Sequence, residues 1–127
     1  AMKLVVLALT FAFCISGPLL ADSFTPQPWG LDTAAGRCVV CHSLEKGGDF
    51  RVAPNLWGIV GADKARYRSW YNYSPALIEM GGTWTEEDLD LYLADAAAFA
   101  PGSTKSIRVK DAAERQEIID FLAGLQD

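Results

Sequence analysis

The stretch Cys38-Val39-Val40-Cys41-His42 decides how the rest of the chain is read. It has the form C-x-x-C-H, the attachment signature of a c-type haem. Two cysteines three positions apart sit on one helical turn, so both sulfurs reach the two vinyl groups on one edge of a porphyrin. The histidine directly after Cys41 is then held against the iron by the covalent bonds beside it. Covalent capture lets a small protein hold a large apolar cofactor without a large cavity.

A bare C-x-x-C is shared with thioredoxin-like redox pairs and zinc knuckles. His42 is the single histidine of the chain, and the third cysteine, Cys14, lies in an apolar N-terminal run. A structural zinc site takes four Cys or His ligands, and only Cys38, Cys41 and His42 are on offer. A thioredoxin-like site needs a strand before the motif, and no βα pattern precedes Gly36. The reading is therefore a haem site, with a plain disulfide and a partial metal site as the alternatives.

The chain has 127 residues, which predicts one domain. Lys3 precedes an apolar run over residues 4–15, Ser16-Gly17-Pro18 break it, and Ala21 supplies a small residue for cleavage. Residues 1–21 read as a secretory signal peptide; the run is short for a membrane-spanning helix, and an uncleaved anchor is the alternative. Residues 22–127 form the expected domain. Removing Lys3 takes the net charge from −5 to −6, and two haem propionates would add to it. That argues against a nucleic-acid partner and against an acidic membrane face, and suits redox partners with a positive docking patch. Export fits the haem reading, since the motif is loaded outside the cytoplasm in bacteria. So small a domain has a small core, to which the haem contributes.

Residues 22–28 read as an extended lead-in. Residues 31–38 suggest a short helix capped by Asp32 or Thr33. Glu45-Lys46-Gly47-Gly48 is a turn signal, and Gly58 and Gly61 punctuate residues 53–61 into loops and short turns. Residues 66–73 are basic and aromatic, which suits hydrogen bonds from arginine or tyrosine to propionates better than nucleic acid in an acidic chain. Ser74-Pro75 caps a short helix stopped by Gly81-Gly82. Thr85-Glu86-Glu87-Asp88 starts a helix with a hydroxyl cap and acids in the first turn, predicted to run to about Ala97. Residues 103–110 read as a polar loop. Asp111 caps a last helix with Ile118, Phe121, Leu122 and Leu125 on one stripe. No strand pair is evident, so the expected class is all-α.

From residue 38 to 125 the chain resembles the class I cytochromes c, close to the mitochondrial and cytochrome c2 branch. The likeness rests on the C-x-x-C-H motif, the spacing to Pro54-Asn55-Leu56, Tyr73-Ser74, Trp84-Thr85-Glu86-Glu87, Tyr92-Leu93 and Pro101-Gly102. The resemblance implies a small fold of helices and loops wrapped around one covalently bound haem c, with Cys38 and Cys41 as thioether attachments and His42 as proximal iron ligand. It implies that Pro54 accepts the other ring nitrogen of His42, that Tyr73 and Trp84 bond propionates, and that Tyr92 lines the distal side.

Two departures stand out. The family's opening helix pairs a glycine and an aromatic residue with the last helix; here residues 32–37 are alanine-rich, and Trp29 is the candidate substitute. The family also ends its Pro-Gly loop in an axial methionine. An ungapped count places Lys105 there, and one insertion places Ser106. Met80 is the remaining methionine of the expected domain, at the end of a helix that the likeness points away from the haem. The distal ligand is then Lys105, water or nothing, a relocated Met80, Ser106, another lysine or a partner's group. A free lysine amine costs about 4–5 kcal/mol to neutralise at pH 7, which iron bonding must exceed.

The expected function is an exported, periplasmic one-electron carrier, not an enzyme, working between redox partners such as a dehydrogenase, an oxidase or a cytochrome complex. No stable membrane insertion is expected unless the leader is uncleaved. The alternatives are a haem protein with an open distal site for CO, NO or sulfur species, and a haem subunit of a periplasmic sulfur-oxidising enzyme. No catalytic triad or paired-carboxylate motif is apparent; residues 86–90 read as a helix start and a solvated face.

Overall fold

The computed structural model describes residue 33 and residues 35–127. The leader, the lead-in, Trp29 and the expected cap Asp32 lie outside them. Among the described residues five helices follow in order: α1 (Gly36–Val39), α2 (Pro75–Met80), α3 (Glu86–Ala94), α4 (Ala96–Phe99) and α5 (Ala112–Gly124). Among the described residues no strand forms; Asp63 and Thr83 meet in an isolated antiparallel bridge. No helix among them is long and apolar enough to cross a membrane. The all-α expectation holds.

Local chemistry sets most boundaries. The side chains of Ser74, Thr85 and Asp111 each accept the backbone N–H three residues on, opening α2, α3 and α5 as short polar caps do. Gly81 ends α2 at φ +59°, a left-handed conformation that glycine adopts without a Cβ clash. α1 differs from expectation. It starts after Ala35 with no side-chain cap, and it runs through Cys38 to Val39.

A second difference falls at Asp95. One helix was expected up to about Ala97, and two are found. Asp95 is extended, closes α3 through its N–H to Leu91 O (3.2 Å), and opens α4 by accepting from Ala98 N (3.1 Å) with its Oδ1. Its other oxygen pairs with Arg108. The corner puts Ala96 out of solvent altogether, where its N–H donates to Ile107 O. The loop over residues 103–110 is consequently anchored: Val109 is buried and its N–H donates to Leu93 O at 2.8 Å.

α3 packs on α5 and on α4. Leu89 and Leu93 join Ile118, Ile119, Leu122 and Leu125 in one buried cluster; Ile119 was outside the expected stripe, and Phe121 packs at its margin. Burying one such side chain contributes about 1.5–3 kcal/mol. Arg115 knits the frame, bonding Asp90 Oδ1 at 2.6 Å and the carbonyls of Val109 and Lys110. Arg37 meets Glu114 at 3.0 Å and ties α1 to α5.

Truncating Ile118 to Ala, at a site with no exposed surface, should cost about 2–5 kcal/mol in denaturant unfolding. The Ala98 N–H, and then Arg108, hold the Asp95 carboxyl below its ordinary 3.8. Its contribution is therefore present above pH 3.8 and lost as pH falls through the lowered value. Asp95→Asn should flatten the acid limb of a stability–pH profile below pH 4 relative to the unaltered chain.

Candidate functional site

The C-x-x-C-H segment straddles the end of α1. Beyond Val39 the turn continues through Cys41 N–H and His42 N–H, both donating to Cys38 O at 3.1 and 2.9 Å. Both cysteines are free thiols, Cys38 buried and Cys41 half-buried, so the disulfide alternative is not formed. Burial, and then the neighbouring Cys41, push the Cys38 thiol pKa up. A thioredoxin-like nucleophile needs the opposite shift. Among the described residues no three His, Cys, Asp or Glu side chains gather to hold a metal ion by themselves.

His42 is fixed by its neighbours in space. Its Nδ1 lies 2.5 Å from Pro54 O. A carbonyl can only accept, so Nδ1 carries the proton and Nε2 keeps a lone pair. Burial pushes the imidazole pKa down, the Pro54 bond opposes it, and the charge of Lys105 adds to the lowering. The net result favours the neutral ring, the form that binds metal. Pro54 is held there because residues 53–56 lie along residues 41–43: Ala53 N–H donates to Cys41 O at 2.9 Å, and Leu56 N–H to Ser43 O at 3.0 Å. Buried Asn55 staples this segment to the preceding turn, donating to Glu45 O and Gly48 O while accepting from Trp57 N. A Cβ on Gly48 would fall 2.8 Å from Asn55 Nδ2, which is why the turn carries glycine there.

His42 opens onto a cavity of about 360 Å³, within the range of cofactor sites. Of the residues singled out in the sequence, His42, Pro54, Tyr73, Trp84, Tyr92 and Lys105 all line it. Trp84 is buried, stacked on Phe99 at 5.7 Å and edge-on to Tyr92 at 5.2 Å. Burial raises the pKa of both tyrosines; Tyr73 is bonded to the Tyr67 backbone and Tyr92 to the Ser103 hydroxyl. Met80 is not among the lining residues; it is 43% exposed at the end of α2.

Two wall residues carry more than the sequence indicated. Lys64 is 7% exposed, pairs with Asp88 at 2.8 Å, donates to Gly81 O and Thr83 O, and lies 5.9 Å over the Trp84 ring. Arg66 clamps the loop after Pro54, donating to Asn55 O, Trp57 O and Gly58 O at 2.6, 3.0 and 3.2 Å. Its Nε is buried with no hydrogen-bond partner among the described residues. The partners are carbonyls distant in sequence, so no local pattern could flag Lys64; Arg66 was visible only as one member of a basic, aromatic run.

These features fit a haem. Leu56, Ile59, Leu77, Leu89 and Leu122 give the cavity an apolar lining, His42 offers an Nε2 lone pair, and two thiols stand on the adjoining turn. The unpartnered Arg66 Nε suits a propionate carboxylate, since a buried donor left unpaired costs about 1–3 kcal/mol. His42, Cys38 and Cys41 would hold the group, and Arg66 would meet its acidic edge.

No family model matches the chain. Curated relatives do. A cytochrome c homolog of Bradyrhizobium diazoefficiens is 39% identical over 95 residues, covering 74% of this chain and 52% of the relative. The cytochrome c of Kluyveromyces lactis is 31% identical over 87 residues, covering 68% of this chain and 78% of that one. The chain spans about half the length of the cytochrome c homologs it matches. Among solved structures, cytochrome cH from Methylobacterium extorquens superposes with a TM-score of 0.63 at 34% identity, covering 72% of this chain and 91% of that one.

Replacing Arg66 by Lys leaves one ammonium where three carbonyls are now held. A loss of about 1.5–3 kcal/mol is expected, read from chemical denaturation. Gly48→Ala should also destabilise, by pushing Asn55 off its carbonyl partners; a variant as stable as the parent would show the staple to be dispensable.

Proposed function

Because the chain belongs to the class I cytochrome c family, which carries one covalently attached haem c, we propose that it is an exported one-electron carrier between redox partner proteins. The observation that carries this reading is the His42–Pro54 lock on an apolar cavity that His42 lines, directly after the turn that holds both cysteines. The group supplies a reversible ferric–ferrous couple when bound. Cys38 and Cys41 would anchor it, His42 Nε2 would ligate the iron, and Arg66, Tyr73 and Trp84 would meet its propionates. Tyr92 closes the remaining wall. The chain's own task is then to hold that geometry unchanged in both oxidation states, which a hydrogen-bonded frame of short loops does with little reorganisation.

Residues 1–21 serve in this reading as a secretory leader, because their basic start, short apolar run and small-residue end match one. Residues 22–127 then form the cytochrome domain in the periplasm. The partners are a dehydrogenase, an oxidase or a cytochrome complex.

Two measurements on the exported holoprotein test this. The haem should stay with the chain through acid–acetone extraction and be released from the Cys38→Ser/Cys41→Ser double variant. A redox titration should follow a single one-electron curve, fully reversible. Haem extractable from the unaltered chain, or a couple that does not return on reoxidation, would sink the carrier reading.

A further inference from the structure

One group on the cavity wall has no task in that reading. Lys105 lines the same cavity as His42, is half-buried, and lies close enough for its charge to act on the imidazole. Among the described residues no carboxylate pairs with it, whereas Lys64 has Asp88, Arg108 has Asp95 and Arg115 has Asp90.

The backbone that carries Lys105 is held. Its N–H donates to Ser103 Oγ at 3.1 Å, and Ser103 is in turn bonded to Tyr92 on α3. Tyr92 is braced edge-on by Trp84 and Phe99. A chain of contacts thus fixes the Lys105 loop to the same helix that walls the cavity. No second histidine or methionine competes for the site, and the other lysine of the wall, Lys64, is engaged by Asp88, Gly81 O and Thr83 O. His42 is the single histidine, and Met80 is exposed outside the cavity.

We propose that Lys105 Nζ is the second axial ligand of the haem iron, across from His42. This rests on the haem-carrying reading and extends it. The ammonium releases one proton to solvent, and the freed lone pair forms the nitrogen–iron bond; no electron changes hands. A methionine thioether raises the potential of such a couple. An amine is a harder donor that favours ferric iron, so Lys105 makes this a low-potential carrier with a distal site closed to small ligands.

The test uses the holoprotein and its Lys105→Arg, Lys105→Met and Lys105→Ala variants at one neutral pH, with covalent haem verified in each by haem staining of a denaturing gel. Arginine keeps the positive charge but cannot lose its proton, so it separates ligation from charge; three variants guard against one that fails to fold. The unaltered ferric protein should be low-spin by electron paramagnetic resonance and, when reduced, slow to take up CO. Lys105→Arg and Lys105→Ala should lose the low-spin signal and bind CO at once. Lys105→Met should gain the near-infrared sulfur-to-iron band and a higher potential. A high-spin unaltered protein, or a low-spin signal that survives in Lys105→Arg, overturns the assignment while leaving the carrier reading in place. Absence of covalent haem from the unaltered chain overturns both.

Discussion

The hydrogen bond from His42 Nδ1–H to Pro54 O is the constraint on which the site depends. It chooses the tautomer and leaves the Nε2 lone pair to the cavity, while burial and the charge of Lys105 keep the imidazole neutral. The bond is one point of a short ladder in which residues 53–56 lie against residues 41–43. That ladder needs the Asn55 staple, and the staple needs a glycine at position 48. A motif five residues long therefore works only because a loop twelve residues downstream is held in register with it.

The rest of the fold can be understood as a frame for an apolar space that the chain does not fill. α3 and α5 supply the firm part of the core. The opposite rim is made of loops, and loops carry backbone groups that must be paired. Two cations, Lys64 buried and Arg66 half-buried, solve this. Arg66 gathers three carbonyls of the loop after Pro54, and Lys64 gathers two around the approach to Trp84 while pairing with Asp88 of α3. Each removes the need for secondary structure where a flat cofactor must enter.

Much of the architecture was legible because its signals are local. Ser74, Thr85 and Asp111 are short polar caps placed directly before helical patterns, and each opens a helix. Pro54, Tyr73, Trp84 and Tyr92, named from a family resemblance, gather on one cavity with His42 and Lys105. The failures have a common cause. Asp95 stands before three alanines, and alanine's helix preference argues for one continuous helix; the break is made by a side-chain cap and by Arg108, a partner supplied from beyond α4. Val109 reads as part of a polar loop, yet it is buried because Leu93 O takes its N–H. No local pattern marks Lys64, and Arg66 stands out only within a basic, aromatic run suited to propionates; their backbone carbonyl partners come near only in the folded chain.

The proximal arrangement can be examined without ambiguity, since the chain has a single histidine. A holoprotein labelled with nitrogen-15 in histidine alone gives one imidazole in the nuclear magnetic resonance spectrum of the reduced state. The account predicts that Nδ1 bears a proton protected from exchange by Pro54 and that Nε2 shows the shift of a nitrogen bound to iron. An imidazole whose two nitrogens exchange and titrate as in free histidine would contradict it.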